Sequence, residues 1–333
     1  MQFRLFYLFF LFSIFVVGQS GDFKIKDNKI EKYATDFSFV VNPLYADVSS
    51  DNIVSGYGID FLYRLNTVMS FRGSYKGSYF NQEPSRENKN NPEAYNGIVS
   101  GEYVPFQYFH GEVTLYLFTD VYESKIKVGI PLEARNNKKK RSYQEIDKVD
   151  KMRQVGLRFG GGKYQGQLKE KKNEFHGVDN NKNYADSNRI SDLDNPLNDN
   201  FTSVTYDLIS AGISYESISH LRIKFSDASR LKNKMSQWII YGDALYGMNF
   251  SLGDIVFVKA GSGINDAVVY SLDKLTEIAP IGFRLGFEHN ITSKYGWSYG
   301  FEIGSRPGTG TFLQRGYFNA KLGVSLNLKT IQY

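Results

Sequence analysis

The sequence predicts an all-β fold, a transmembrane antiparallel up-and-down β-barrel of about 14 strands, with 12 as the next count. Three observations carry this. Apolar and polar residues alternate through most of the chain, the period-two signature of strands with two unlike faces. Aromatic residues make up 16 % of the 333 positions, enough for the ring-rich girdles at both edges of a membrane barrel. The chain opens on an apolar leader of the export type.

That leader, MQFRLFYLFFLFSIFVVGQS, has a basic start at Arg4, an apolar run over 5–17 and the small residue Gly18 before Gln19. It predicts a cleaved secretory signal over 1–18, followed by a single barrel domain over 19–333 with long outward loops, notably 163–200. No later stretch reaches 18 consecutive apolar residues, so any further membrane crossing must use strands. Only a closed barrel satisfies their backbone groups in lipid.

The clearest strand lies at 317–329. Phe318, Ala320, Leu322, Val324, Leu326 and Leu328 share one face, with Asn319, Lys321, Gly323, Ser325, Asn327 and Lys329 on the other. Earlier in the chain a first strand is expected over 35–46, with Pro43 near its end, and then a hairpin over 56–65 and 68–80. Residues 83–93, with two prolines, form a loop. A second hairpin over 95–104 and 111–121 turns around Pro105, Phe106, Tyr108 and Phe109, rings suited to a bilayer surface. Separate strands follow at 125–132 and 152–162, flanking a charged insert over 136–151, and the longest irregular segment covers 163–200. Further strands fall at 209–215, 221–225, 240–250, 254–260, 267–272, 281–288 and 295–304. The links between them alternate in length, as in outer-membrane barrels, whose short turns are periplasmic and long loops extracellular.

The polar face carries Asp60, Arg64, Lys127, Arg158, Arg222, Lys224, Asp243, Arg284, Glu288, Glu302 and Lys321, which are expected to line the interior. Trp297, Tyr299, Phe301, Phe283, Phe287 and Phe318 are expected to face lipid. In a soluble sandwich the charged face would be the solvated outside. Four aromatic or β-branched side chains in a row over 297–303 suit lipid better than a close-packed core.

Chemistry-bearing motifs are sparse. The chain has no Cys and four histidines, His110, His176, His220 and His289, with no H-x-x-x-H pair, so no zinc or other metal site is expected and no cofactor. Lipid-hydrolysing barrels carry a Ser two residues after a lipid-facing His. Here those positions are Glu112, Val178, Arg222 and Ile291, so the pattern fails. His289 is in phase with the apolar face, with Ser293 or Ser298 in reach, and a lipid-modifying enzyme is the third alternative. Gly160 to Lys163 lacks the spacing and the Ser or Thr of a phosphate loop. The Asn- and Asp-rich residues over 179–199 offer oxygen ligands for calcium but no terminal bidentate Glu. The basic run over 138–141 reads as a solvated loop, and no nucleic-acid partner is expected of an exported chain.

The leader, the aromatic alternating strands and the segments FRLGFEHN, WSYGFEIGSRPG and FNAKLGVSLNLK resemble the outer-membrane barrel proteins of Bacteroidota. The ending departs from that pattern, since Tyr333 follows the last alternating residue instead of closing the strand. The resemblance implies an outer-membrane location, lipid as the surrounding partner, and envelope proteins as partners of the loops. The expected role is non-enzymatic: a porin-like channel, or a scaffold in a surface or secretion assembly. A transporter of apolar molecules is the second alternative, and it requires an apolar internal pocket.

Overall fold

A computed structural model describes residues 23–25, 36–49, 53–65, 67–81, 97–101, 104–131, 141–170, 200–225, 231–253, 255–258, 268–270, 278–292, 295–309 and 315–328. The leader over 1–18, the candidate calcium ligands over 179–199 and the lysines over 138–140 lie outside the described residues. In chain order the strands are β1 (Phe23–Ile25), β2 (Asp36–Ser49), β3 (Ile53–Leu65), β4 (Met69–Asn81), β5 (Gly97–Gly101), β6 (Gln107–Pro131), β7 (Arg141–Glu170) and β8 (Asn200–Phe225). They continue with β9 (Leu231–Leu252), β10 (Ile255–Val258), β11 (Val268–Tyr270), β12 (Ile278–Ala279), β13 (Ile281–Thr292), β14 (Tyr295–Ser305), β15 (Gly308–Thr309) and β16 (Gly316–Leu328). The described residues contain no helix.

Strand pairing closes on itself. The order β8, β7, β6, β4, β3, β2, β16, β14, β13, β9 returns from β9 to β8, a ring of ten strands. Each barrel strand pairs with the next in the chain, and β2 with β16 forms the seam, from Tyr317 opposite Ser49 to Leu328 opposite Phe37. A closed ring leaves no edge and satisfies every ladder hydrogen bond internally, the condition for strands in lipid.

The count is ten, where the sequence predicts 14 or 12. Two pairs of expected strands are one strand each: 111–121 and 125–132 both belong to β6, and 209–215 and 221–225 both belong to β8. Strands of 25 and 26 residues exceed the usual length, and polar residues inside them, such as Ser217, read as turns when only local composition is considered. Three further segments leave the barrel: β5, β10 and β11 pair as a small sheet between the long links. The charged insert is also shorter than expected, because Arg141 already begins β7.

The chain divides into two compact units. One comprises Glu31–Asp120, Met152–Ile218 and Met235–Tyr333 and holds the interior described below. The other comprises Met1–Ile30, Val121–Lys151 and Ser219–Lys234, and within it Phe23, Lys24 and Ile25 of β1 pair with Phe225, Lys224 and Ile223 of β8.

The faces of the ring are the reverse of a soluble core. Each of the ten strands exposes large apolar side chains: Leu44, Ile59, Phe71, Leu117, Phe159, Ile213, Ile240, Leu285, Phe301 and Phe318 give one from each. Trp297, Tyr299, Phe301 and Phe318 stand outward at 42–53 % exposure, and the half-buried Phe287 stacks on Phe301 at 5.2 Å. Phe283, also half-buried, is in phase with them. Two irregularities reset the alternation. Before Pro43 the inward residues are Ser38, Val40 and Asn42, and after it they are Tyr45 and Asp47. Pro43 cannot donate to a ladder, and the register slips there on both sides of β2. In β9 the inward set passes from Asp243 and Leu245 to Leu252, with Phe250 turned to the interior cluster. Asn249 has a positive φ of 54° at the switch, a conformation that Asn tolerates, and its amide donates to Asp207 at 2.7 Å. Phe106, expected at a bilayer surface, is instead 2 % exposed inside, since its phase in the chain is opposite to that of the outward Phe109.

Phe301→Arg should test the outward face. Placed among lipid tails it is expected to destabilise the barrel by about 2–4 kcal/mol in unfolding from bilayers, whereas a soluble fold would gain from it.

Candidate functional site

The interior of the ring is filled with paired charges brought together from all round the barrel. Arg284 on β13 is the hub: its Nε donates to Asp243 Oδ2 of β9 at 2.6 Å and its Nη1 to the Tyr108 hydroxyl of β6 at 3.0 Å. Its other contacts reach Glu112 at 3.5 Å and Glu302 at 4.0 Å. Arg158 of β7 reaches Glu112 at 2.5 Å and Asp243 at 3.2 Å, with its guanidinium 3.8 Å from the Tyr241 ring centre. Arg72 of β4 crosses to Glu288 at 2.7 Å, and Lys321 of β16 ties Glu288 at 2.9 Å to Asp60 at 2.8 Å. Glu302 accepts hydrogen bonds from the Tyr241 and Tyr317 hydroxyls, at 2.7 and 2.6 Å, and from Asn319 at 3.1 Å. Nearer the end where β2 begins, Arg64, Gln237 and Tyr116 all donate to Glu216.

Small residues make room for this packing. A Cβ on Gly286 would stand 2.1 Å from the Tyr241 ring, which lies flat across that backbone beneath Arg158.

The opposite end, where the long links meet, closes with rings. Tyr45 stacks on Phe106 at 5.9 Å, Phe106 meets Tyr164 edge to face at 5.8 Å, Tyr164 stacks on Tyr206 at 4.9 Å, and Phe250 lies tilted 4.9 Å beyond Tyr206. The Lys76 ammonium sits 5.0 and 5.1 Å from the Tyr45 and Tyr108 ring centres. Arg306, in the link after β14, pairs with Asp47 and covers the Tyr317 ring at 3.9 Å. Burial works against its charge, but Asp47 and the neighbouring tyrosines outweigh that, so its pKa stands well above the ordinary arginine value.

Charge balances within this unit. Arg64, Arg72, Lys76, Arg158, Arg284, Arg306 and Lys321 face Asp47, Asp60, Glu112, Glu216, Asp243, Glu288 and Glu302, seven of each among the described residues. Most of these groups are barely wetted, with Arg158 at 3 % and Asp243 at 4 % exposure, and Arg306 is the most exposed at 16 %. Two cavities at the ring-lined end measure about 20 and 30 Å³, room for one or two waters each.

Of the residues the sequence places inside, Asp60, Arg64, Arg158, Asp243, Arg284, Glu288, Glu302 and Lys321 meet in this network. The side chains of Lys127, Arg222 and Lys224 lie outside the described residues. Sequence reading misses Arg72, Glu112 and Glu216, although each falls on the alternation of its own strand, and it misses Tyr45 and Asp47 because the irregularity at Pro43 reverses their phase. Ser298, proposed as a partner of His289, points inward and donates to Asn290 at 2.6 Å, and Ser293 lies outside the described residues. His289 instead meets Ser236 and Tyr299 on the outward face.

No protein-family model matches the chain. No curated protein matches it either. Among solved structures it aligns with OmpT, an outer membrane protein of Vibrio cholerae, at 8 % identity and a TM-score of 0.17, over 89 % of this chain and 100 % of that one. It also aligns with Pseudomonas aeruginosa OpdK with vanillate at 10 % identity and a TM-score of 0.16, covering 88 % and 98 % of the two chains. P. aeruginosa OccK2 (OpdF) in complex with glucuronate follows at 11 % and 0.15, covering 89 % and 98 %. Likenesses at such TM-scores carry no weight, and the closed barrel rests on its own strand pairing.

Glu216→Ala should remove the carboxylate that Arg64 is paired with and cost about 3–5 kcal/mol, while Glu216→Leu combined with Arg64→Met should restore only part of that loss, since Tyr116 and Gln237 still lose their acceptor. Heat-modified gel migration and denaturant unfolding in detergent micelles would measure both.

Proposed function

We propose that this protein is an outer-membrane β-barrel that acts through its surfaces, as a scaffold or anchor in the cell envelope, and not as an open passage. The observation that carries the membrane setting is the inverted pattern of faces, apolar outside on all ten strands and charged within. A soluble barrel exposing that much continuous apolar surface would aggregate. Links within the ring support the orientation. On the rim where β2 begins and β16 ends, 66–68, 226–230 and 293–294 are short and 132–140 is of middle length. On the other rim 50–52 is short, while 82–106, 253–280 and 306–315 are longer. Long loops are characteristic of the extracellular side.

Three features favour a scaffold over a channel. The interior charges are almost dry, they neutralise one another, and the rings from Tyr45 to Phe250 close one end. A wet pore leaves its lining charges solvated and takes selectivity from an excess of one sign. The route for apolar cargo gains little, because the apolar cluster, among the described residues, leaves only the two water-sized cavities. The long links would then present the surface that envelope partners recognise, and the resemblance to Bacteroidota barrels is compatible with such a role. Neither location nor partner requires a metal or cofactor.

Purified protein in planar bilayers should give no stepwise conductance at potentials where general porins conduct. Regular steps of nanosiemens size from the wild-type chain would overturn the closed-interior reading. Deleting residues 171–199 should leave a folded barrel, seen by heat-modified migration, while abolishing co-purification of envelope partners.

A further inference from the structure

Ser236, His289 and Tyr299 form a hydrogen-bonded chain on the outer wall. They lie on three adjacent strands, β9, β13 and β14, with His289 directly opposite Tyr299 and Ser236 opposite Ile291. Their neighbours Gln237, Glu288 and Ser298 are buried inside, so the alternation turns all three outward. Ser236 Oγ is 2.9 Å from His289 Nε2, and the Tyr299 hydroxyl is 2.8 Å from Nδ1. With Nδ1–H donating to the tyrosine oxygen, Nε2 keeps its lone pair for the serine proton, the relation of nucleophile, base and orienting group that activates a hydroxyl.

Depth fits a lipid substrate. The group stands within a few residues of the short link at 293–294, beside the exposed Trp297 and the Tyr215–Trp238 ring pair, whose centres are 5.3 Å apart. Such rings mark the level of lipid headgroups, where acyl ester carbonyls also lie. The interior offers a useful contrast. Ser210 Oγ is 3.0 Å from His110 Nε2, but there the third group, Glu112, is 3.9 Å from Nδ1 and paired with Arg158, and all are buried where no lipid can reach.

We infer that Ser236 and His289, positioned by Tyr299, hydrolyse acyl esters of lipids in the surrounding bilayer. Ser236 Oγ bonds to the acyl carbonyl carbon as its proton passes to Nε2. The ester C–O bond breaks and Nε2 returns the proton to the leaving alcohol oxygen. Water then adds to the acyl carbon as its proton passes to the same nitrogen, the bond from that carbon to Ser236 Oγ breaks, Nε2 returns the proton to Oγ and the fatty acid leaves. The inference rests on the outer-membrane reading. If the short-turn rim is periplasmic, the leaflet at this depth is glycerophospholipid, the favoured substrate.

The test uses the full-length wild-type chain reconstituted in phosphatidylethanolamine and phosphatidylglycerol vesicles, and separately in vesicles carrying lipopolysaccharide. Folding is checked by heat-modified migration, so that loss of the barrel is separable from loss of activity. An alkyl fluorophosphonate should label Ser236, and free fatty acid should appear from the phospholipid vesicles. Ser236→Ala should abolish both, and His289→Ala should slow release by about 10²- to 10⁴-fold. Tyr299→Phe should lower kcat with KM unchanged, a split that mere loss of packing would not give. Release from lipopolysaccharide alone would move the substrate to the other leaflet and overturn the phospholipid assignment. A folded wild-type barrel that neither labels at Ser236 nor releases acyl chains from either vesicle overturns the inference and leaves the membrane reading standing.

Discussion

The structure depends on closure. Once β9 pairs with β8 and β2 with β16, no strand has a free edge, and each must divide its residues between an outer and an inner wall. With the apolar residues of every strand on the outer wall, the charged residues of the alternation turn inward. There they meet at short range across a ten-stranded bore, where side chains as long as Arg and Tyr reach each other from opposing strands. Neutrality follows as a requirement, because a single uncompensated ion in that dry space would cost more than the fold can spare.

This couples the two walls. Tyr241 lies under Arg158 and donates to Glu302, and the backbone space it needs is left by Gly286, whose strand neighbours Leu285 and Phe287 face outward. Residues of the apolar outer wall and residues holding the ion network are therefore successive positions of one strand.

Much of this is legible in the sequence, for a physical reason. Period-two alternation survives from Tyr57 to Arg64 and from Trp297 to Ile303, so the placement of Asp60, Arg64 and Glu302 can be read without coordinates. It fails where the backbone changes phase. Pro43 and Asn249 each reverse the walls for the residues after them, which is how Tyr45, Asp47 and Leu252 come inside. It fails also in long strands, where a polar residue such as Ser217 has the composition of a turn but stays paired. Ser236 falls in a segment that composition assigns to a link, so its meeting with His289 is visible only once β9 and β13 are in register. The ion pairs themselves, spanning up to 261 positions in sequence, are set by the ring and not by any local motif.

Nine of the ten barrel pairings join barrel strands that follow one another along the chain, and one joins the first to the last. Until β16 arrives, the growing sheet has two raw borders, and the salt link from Lys321 to Asp60 cannot form. The last tooth of this zip fastener thus carries a charge of its own, and closing the seam seats the Lys321 ammonium between Asp60 and Glu288.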